Sequence, residues 1–399
     1  MSAPPNRPEV DGEAPWHHLD HAASSPLRPE AADVADHLGR TLWGNPSGAH
    51  ALARRARDHL DEARERLASL TGCQPGELVF TSGGTEADNL AVRGTVAATP
   101  GRVVCTAIEH HAVLDPVLAA GGTVVPVDRR GVVDLDALAE ALGDDVVLVS
   151  VGIVNNEVGT VQPLAEVRAV VDEHAPQARL HTDAAQALPW LDLRTATAPA
   201  DLVTLASHKA GGPRGVGALV VRDGAPLVAQ QVGGGQERGR RSGTPDVAAA
   251  AAFATAAAAA DRDRDRLVAD ATRWRDRLLD TITAEVPGAV ASSCPDGDRR
   301  HLVAGIANLC LPEVDSEALL YLLEHDHRVL ASAASSCASG AQEPSHVLAA
   351  LGHPRALAGG SLRLSLGWST TEDDVAAALA GVPAVARRLQ ARARAGTPA

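Results

Sequence analysis

Seven short apolar runs, rich in β-branched residues, alternate with amphipathic stretches between residues 77 and 221. The runs read ELVF, RVVCTA, TVVPV, VVLVSV, ARLHT, LVTLA and VGALVV. Strands that alternate with helical segments of about 10 to 15 residues are typical of a mainly parallel sheet covered by helices on both faces. In such α/β sheets ligands bind beyond the carboxyl ends of the strands, so the residues that follow each run are the first candidates for chemistry.

The rest of the chain divides into a tail and a second, smaller region. An alanine-rich helix pattern at residues 247–260 leads into the charged stretch DRDRDRLVADATRWRDRLLDTI, whose DRDRDR run is typical of a solvated helix face. Later segments such as HLVAGIANLCLP and SLRLSLGW indicate an α+β domain. We predict a disordered tail over 1–15, a large domain over 16–262 and a small C-terminal domain over 263–399.

Composition argues against several classes of function. The 399 residues are 45% hydrophobic and 22% charged and carry a net charge of −14, which is untypical of a general nucleic-acid-binding protein. No stretch approaches the ~20 strongly apolar residues of a membrane span, and the proline-rich start lacks the apolar core of a secretion signal. Five scattered cysteines form no Cys-x-x-Cys pair. We therefore expect a cytoplasmic protein in a reducing compartment.

Lys209 is the only lysine among the 36 lysine and arginine residues. Arginine could replace a lysine that served only as a positive charge. A primary amine, in contrast, can lose its proton on burial and can form an imine, which arginine cannot do. The pattern favours a nucleophilic amine at this position, with an ordinary surface lysine as the alternative.

Polar residues follow five of the apolar runs. Gly83, Gly84 and Thr85 open a helix pattern and suit a phosphate, because a helix N-terminus presents free N–H groups. The other strand ends carry His110, His111, Asn155, Asn156, Glu157, Asp183, Gln186, Ser207, His208 and Lys209. Each has a structural alternative, such as a helix cap, a core histidine or a turn asparagine. As a set they match pyridoxal 5′-phosphate (PLP), which needs an amine for its aldehyde, a phosphate site and an anion at its pyridinium nitrogen.

Ten motifs in order extend this hypothesis. They are LDHAASSP, GNPSGAH, FTSGGTEADN, EHHAVLD, VNNEVGTVQP, HTDAAQ, SHKAGGPRGVGAL, GGGQERGRRSGT, SSCASGAQEPSHVLAALG and SLRLSLGWSTTEDD. From about residue 17 to 385 the chain resembles the cysteine desulfurases of the class V aminotransferase superfamily. The resemblance implies a fold-type-I PLP-dependent transferase, an α/β fold with a smaller C-terminal α+β domain.

The resemblance also implies a role for each matching position. Lys209 would form the imine with PLP, Asp183 would face the pyridine nitrogen, and His110 would stack on the ring and act in proton transfer. The remaining positions would be Asn156 and Gln186 near the substrate and the ring hydroxyl, Gly84, Thr85, Ser207 and His208 around the phosphate, Thr244 at the phosphate of a neighbouring subunit, and Arg363 at the substrate carboxylate. The role of Thr244 implies a homodimer, and a bidentate guanidinium suits a carboxylate.

Cys337, in ASAASSCASGAQEPS, is the position that separates desulfurases from ordinary transaminases in this resemblance. Its small neighbours predict a mobile loop, and its thiolate would take sulfur from L-cysteine as a persulfide and leave L-alanine. The long loop is similar to the group that serves iron–sulfur cluster assembly and tRNA thiolation, which implies a sulfur-acceptor protein as a partner. The alternative is a buried core cysteine, which is the role we assign to Cys73, Cys105, Cys294 and Cys310.

One position departs from the family pattern, and other functions stay open. The family usually has serine two residues before the histidine of the lysine motif, where this chain has Ala206, so a phosphate hydrogen bond would be lost or taken over by Ser207. Selenocysteine lyases and aminotransferases belong to the same superfamily, and a non-catalytic scaffold that binds a sulfur carrier is an alternative of another class. We predict no metal site, because His325 and His327 lack further ligands at useful spacing.

Overall fold

The computed structural model describes residues 15–333 and 345–396. The strands are β1 (His17–His18), β2 (Leu78–Thr81), β3 (Arg102–Thr106), β4 (Thr123–Val125), β5 (Val146–Ser150), β6 (Arg179–Asp183), β7 (Leu202–Ala206), β8 (Gly217–Val221), β9 (Val290–Ala291), β10 (Ile306–Cys310), β11 (Val329–Leu330) and β12 (Ser361–Ser365). The α-helices are α1 (Pro29–Thr41), α2 (Ala51–Thr71), α3 (Gly84–Ala98), α4 (His111–Ala119), α5 (Leu135–Ala141), α6 (Leu164–His174), α7 (Leu193–Ala196), α8 (Val247–Glu285), α9 (Ser316–His327), α10 (His346–Ala350), α11 (Arg355–Ala358) and α12 (Glu372–Gly396).

Seven strands form the large sheet, in the order β2-β8-β7-β6-β5-β3-β4. The neighbours from β7 to β4 run parallel, whereas β8 runs antiparallel to both β7 and β2. Only about ten residues join β7 to β8, and a parallel connection needs a crossover of about a dozen or more, so β8 returns in the opposite direction. The predicted α/β fold with a mainly parallel sheet is confirmed.

Helices cover both faces of the large sheet. On one face, Leu90 of α3 and Val113 of α4 join a buried cluster with Val79 of β2. On the other face, Leu67 of α2 and Phe253 of α8 belong to the main core of the molecule. Every residue of β7 and β8 is buried. Burial on both faces explains why these strands read in the sequence as continuous apolar runs without alternation.

Helix α8 connects the large sheet to the C-terminal part. It has 39 residues, and the Asp246 side chain caps it by accepting a hydrogen bond from the Ala249 N–H at 2.9 Å. At 1.5 Å per residue the helix is about 58 Å long. It runs without a break across the predicted domain boundary at residues 262 and 263, and that boundary stays a prediction. Within the described ranges, none of the helices has the length and apolarity that crossing a bilayer requires.

A buried ion pair fastens the loop before α8 to the large sheet. Arg64 of α2 and Glu237 form a two-pronged pair with N···O distances of 2.8 Å, and their side chains are 5% and 4% exposed. The Glu237 carboxylate also accepts the Phe80 N–H at 2.9 Å. Because both charges are paired and hydrogen-bonded, this loop has a fixed position at the edge of the sheet.

The C-terminal part contains a three-stranded antiparallel sheet, with β10 between β9 and β12. The start of the described chain joins this part of the molecule. Strand β1 pairs in parallel with β11, and Asp20 forms a bridge with Ser365 of β12. Residues near 20 therefore lie between the carboxyl edge of the large sheet and the C-terminal sheet, although they are more than 300 positions from β12 in sequence.

Candidate active site

A cavity of about 280 Å³ lies at the carboxyl ends of the parallel strands. It is bordered by the residues that directly follow β3, β5, β6 and β7 and by the start of α3. The predicted site residues that line it are Gly84, Thr85, His110, Asn156, Asp183, Gln186, His208 and Lys209. The prediction that functional residues directly follow the strands therefore located one continuous site.

Lys209 projects into this cavity from the 3₁₀ turn Ser207–Lys209 after β7. Its Nζ donates hydrogen bonds to the carbonyl oxygens of Ala22 at 2.5 Å and Ala23 at 3.0 Å. Burial lowers the pKa of Lys209 to about 8, and the nearby Arg363 guanidinium acts in the same direction, against Asp183. A substantial share of this amine is therefore unprotonated near neutral pH, as a nucleophilic lysine requires.

Asp183 ends β6 beside two further buried carboxyl groups. One of its oxygens accepts the Ala185 N–H at 2.8 Å. Asp88 of α3 and Glu109 border the same cavity and are 1% and 3% exposed. Burial raises the pKa of Asp88 well above its usual range and the pKa of Glu109 to about 7, and the charge of Asp183 adds to both shifts. Asp183 is thus the member of this group best suited to carry the negative charge toward a ring nitrogen.

The sequence reasoning missed Asp88 and Glu109. Glu109 joins two strand ends, since it accepts hydrogen bonds from the Thr106 hydroxyl at 2.6 Å and from the Gly152 N–H at 3.0 Å. Asp88 lies on the buried face of α3, one turn after Gly84. The sequence offered two signals: an acid at an apolar helix position and an acid directly before His110. Neither signal by itself distinguishes a site residue from a surface residue.

The turn between β2 and α3 provides an anion site. Gly83 has φ 153° and ψ −178°, a conformation that essentially only glycine adopts. Helix α3 begins at Gly84, and both Gly84 and Thr85 border the cavity. The first N–H groups of a helix have no partner within the helix, so this end presents donors and the positive end of the helix dipole. A phosphate group fits such a terminus.

The side chains of the turn after β7 point in different directions. Ala206 and His208 border the cavity, whereas the buried Ser207 Oγ lies against Gly212, where an added Cβ would come within 2.0 Å of it. The structure therefore does not support the predicted contact between the Ser207 hydroxyl and a phosphate in this cavity. His208 Nδ1 lies 3.3 Å from Ser24 Oγ, and burial lowers the pKa of His208 to about 4, so its ring is neutral at pH 7.

His110 caps α4 at the cavity wall. Its Nδ1 accepts the Ala112 N–H at 3.1 Å, so the neutral ring carries its proton on Nε2. Partial desolvation at the cavity wall lowers the pKa of His110, although its side chain is exposed, and the positive charge of Lys209 acts in the same direction, against Asp183. His110 thus presents a neutral imidazole at the cavity. The neighbouring His111 is exposed and does not line it.

Three residues with amide side chains border the cavity: Asn155, Asn156 and Gln186. Gln186 donates from Nε2 to the Ala22 carbonyl at 2.8 Å, the same oxygen that accepts from Lys209. Asn155 stabilises its own turn, since its Oδ1 accepts the N–H groups of Glu157 and Val158, both at 2.9 Å. Asn156, which follows it, directs its backbone carbonyl toward Arg363 and lines the cavity.

Arg363 lies on β12 and is 5% exposed; it does not line the cavity itself but contacts Asn156, which does. Its Nη1 donates to the Asn156 carbonyl at 2.9 Å, and its Nη2 pairs with Asp20 at 2.8 Å. The remaining donor, Nε, is buried and has no hydrogen-bond partner among the described residues. A buried guanidinium with a free donor beside the amine of Lys209 suits an anionic ligand group such as a carboxylate.

Thr244, like Ser207, is a predicted site residue that does not line the cavity. It is exposed and lines a separate depression of about 130 Å³ with Ser82, Gly215 and Arg241. Arg241 is held there by a pair with Glu86, at 2.8 Å. Its predicted role at the phosphate of a neighbouring subunit needs a second copy of the chain and stays a prediction.

Cys337 lies outside the described residues, and the other four cysteines are poor nucleophiles. Cys73, Cys105, Cys294 and Cys310 are free thiols that are buried or half-buried. Burial raises the pKa of each of these thiols. Because the thiolate is the reactive form, these groups are suited to packing and not to sulfur chemistry at neutral pH.

The residues around the cavity fit PLP by the chemistry of their donors. The amine of Lys209, the carboxylate of Asp183 and the start of α3 border one cavity, so a single ligand with an aldehyde, a ring nitrogen and a phosphate has a matching group for each. The unpartnered Nε of Arg363, next to the cavity-lining Asn156, offers a place for a further anionic group.

Comparisons with known proteins all assign the chain to one family. The model of the aminotransferase class-V family matches residues 17–378. An IscS-like cysteine desulfurase of Mycobacterium tuberculosis is 43% identical over 389 residues, covering 94% of this chain and 97% of the relative. A cysteine desulfurase IscS of Dictyoglomus turgidum is 35% identical and covers 90% and 91% of the two chains.

A solved structure of a NifS-like protein has a TM-score of 0.85 and 29% identity, and covers 94% of this chain and 100% of its own. The family is PLP-dependent, in agreement with the donors around the cavity. The family match, the similarity along nearly the whole chain and the shared cavity of Lys209 and Asp183 agree with one another. This chain belongs to the class V aminotransferase family and, within it, to the cysteine desulfurases.

Proposed function

We propose that this chain uses PLP to convert L-cysteine to L-alanine and transfers the sulfur to its own Cys337. The observation that carries the proposal is Lys209, the only lysine of the chain, which is half-buried, lines the same cavity as Asp183 and has a pKa lowered to about 8. The reaction balances as L-cysteine plus the Cys337 thiol giving L-alanine plus the Cys337 persulfide.

Residues of this chain would bind the aldehyde, the ring nitrogen and the phosphate of the cofactor. Lys209 would bind its aldehyde, Asp183 its ring nitrogen, and the N-terminus of α3 at Gly84 and Thr85 its phosphate, with His208 and Gln186 at the sides. When bound, PLP supplies an electron-withdrawing ring that stabilises negative charge developing on the substrate carbon. Asp183, at the end of β6, would favour the protonated ring nitrogen, because a carboxylate stabilises a positive charge next to it.

The protons of the reaction would be handled by Lys209 and His110. Once the amine of Lys209 is unprotonated, it can accept the proton from the substrate α-carbon and return it. His110, with its proton on Nε2, can donate toward the substrate and be reprotonated from solvent. Arg363 would hold the substrate carboxylate at the edge of the cavity and so orient the amino acid.

The sulfur atom of the substrate would be transferred directly to the Cys337 thiolate. The Cys337 thiolate attacks the substrate sulfur, the carbon–sulfur bond breaks, and the carbon takes up a proton to give L-alanine. A sulfur-acceptor protein, of the kind used in iron–sulfur cluster assembly or tRNA thiolation, would then receive the persulfide sulfur. We also propose a homodimer, in which Thr244 reaches the partner's cavity, and a cytoplasmic location.

The test measures L-alanine and persulfide from purified protein incubated with L-cysteine. The parent should form both, Lys209→Arg should lose the visible cofactor colour and all turnover, and Cys337→Ser should keep the colour and form no persulfide. Cys294→Ser is the matched control, because this half-buried thiol should not participate. A Cys337→Ser variant that releases sulfur at the parental rate would refute the proposal, and keto acid formation in place of L-alanine would indicate an aminotransferase.

A further inference from the structure

The segment that carries Cys337 is attached to described residues at both ends. On its N-terminal side, Ser332 pairs with Arg363 through the main chain: the Arg363 N–H donates to the Ser332 carbonyl at 2.8 Å, and the Ser332 N–H donates to the Arg363 carbonyl at 3.2 Å. Cys337 follows Ser332 by five positions, so chain length limits the reach of the cysteine to about 17 Å from Ser332. This end therefore starts at the proposed substrate-carboxylate site.

The C-terminal end is attached by a side chain. The Ser345 hydroxyl donates to the Glu157 carboxylate, and the same oxygen accepts the Leu348 N–H at 3.2 Å as the cap of α10. Ser345 is 4% exposed and Glu157 is 6% exposed, so water competes little for this hydrogen bond. A buried bond to a carboxylate is among the stronger hydrogen bonds in proteins.

A second contact supports the same end. His346 Nε2 lies 3.0 Å from the Glu109 carbonyl, so Nε2 is the donor, and its ring packs against His111 with the centroids 4.8 Å apart. Val347 and Leu348 are fully buried in a cluster that also contains Ile108. The chain that follows Ser345 is thus packed against the residues that border the cavity after β3.

Glu157 connects this attachment to the substrate side of the site. It follows Asn156, whose carbonyl holds Arg363, and its backbone carbonyl accepts a hydrogen bond from Asn308 of the C-terminal sheet at 3.0 Å. Burial raises the pKa of Glu157 to about 7, while the Ser345 bond and the Arg363 charge act in the opposite direction. Both ends of the segment therefore converge on the surroundings of one residue, Arg363.

We propose that Glu157 and Ser345 are positioning residues for sulfur transfer: their hydrogen bond fixes the C-terminal end of the Cys337 segment relative to Arg363. This inference rests on the proposed function. Arg363 orients the substrate, and its main chain also holds Ser332. The positions of the substrate sulfur and of the segment that bears the thiol therefore both depend on Arg363. Loss of the bond should slow the meeting of the two sulfur atoms and leave amino-acid binding intact.

Four variants of the PLP-loaded enzyme separate this role from a general structural one. Glu157→Ala removes the acceptor, whereas Glu157→Gln keeps an oxygen that can accept from Ser345. Ser345→Gly removes the hydroxyl donor, and glycine is tolerated at a helix N-cap, so α10 should keep its start. Ser332→Ala is the matched control, because Ser332 is attached through its main chain and not its side chain.

Two measurements are made on each variant. The first is the rate of persulfide formation on Cys337 in a single turnover with L-cysteine, followed by rapid alkylation and mass spectrometry. The second is the equilibrium affinity for L-alanine, followed by the change in visible absorbance of the bound cofactor. Misplacement of a reacting group by about 1 Å can cost up to ~100-fold in rate. We expect Glu157→Ala and Ser345→Gly to slow persulfide formation at least about tenfold, with the L-alanine affinity within about twofold of the parent.

Glu157→Gln and Ser332→Ala should stay within about threefold of the parental persulfide rate. Parental rates in Glu157→Ala and Ser345→Gly would overturn the inference, and so would equal losses of rate and of L-alanine affinity, which would indicate damage to the whole site. If the parent itself formed L-alanine without a persulfide on Cys337, the proposed function would fail instead, and the two failures are thereby distinguished.

Discussion

Capture of PLP by the cofactor-free protein should depend on pH in the way that the buried amine of Lys209 dictates. An imine forms only from the neutral amine, and burial lowers the pKa of Lys209 from 10.5 to about 8. At pH 7 this raises the neutral fraction from about 0.03% to about 9%, a gain of about 300-fold over an exposed lysine. Because the pKa of Lys209 is lowered, the fraction of neutral amine rises with pH and is about 90% at one pH unit above the pKa of about 8.

The assay is the rate of appearance of visible absorbance when cofactor-free protein is mixed with PLP between pH 6 and pH 10. We expect the rate constant to rise nearly tenfold from pH 6 to pH 7 and to level off above about pH 9. PLP has titrating groups of its own, so the profile is divided by the rate constant of PLP with a free lysine derivative, expressed per neutral amine, which leaves only the titration of Lys209; Lys209→Arg gives the background. A corrected rate that keeps rising tenfold per pH unit up to pH 10 would refute the lowered pKa.

Two further predictions concern cofactor retention and stability. Ala206→Ser places a hydroxyl at the cavity wall and should slow PLP release by up to about tenfold, whereas Ser207→Ala should change it less than twofold, because that hydroxyl faces away from the cavity; release is measured by trapping free PLP. Glu237→Gln should lower the free energy of unfolding by about 3 kcal/mol or more, because it leaves the buried Arg64 partly unpaired. Asp36→Asn, at an exposed ion pair, is the control and should cost less than about 1 kcal/mol in the same urea titration. A loss at Glu237 no larger than at Asp36 would contradict this account.

The strands of the large sheet could be predicted because their patterns are local. All seven apolar runs form strands within about two residues of the pattern, and Asp183 and Lys209 follow from their positions after β6 and β7. Strand order and the antiparallel direction of β8 depend on which segments meet in three dimensions. The short connection after Lys209 was the one sequence signal for that direction.

Other parts of the site could not be predicted because they depend on contacts across the chain. The pair between Arg363 and Asp20 joins residues 343 positions apart. The grouping of Asp88 and Glu109 with Asp183 depends on the packing of α3 against the sheet. The direction of Ser207 is set by the 3₁₀ turn that contains it, so the letters SHK alone do not determine which side chains face the cavity.

The placement of residues 17–23 also sets the order in which the site can be completed during protein synthesis. At about 5–20 residues per second, Arg363 is added about 17–70 s after Asp20. Strands β11 and β12, which hold the N-terminal segment beside Lys209, are likewise made after the large sheet. The sheet with its cavity can therefore fold on the ribosome first, while the wall formed by Ala22 and Ala23 reaches its final position only when translation is nearly finished.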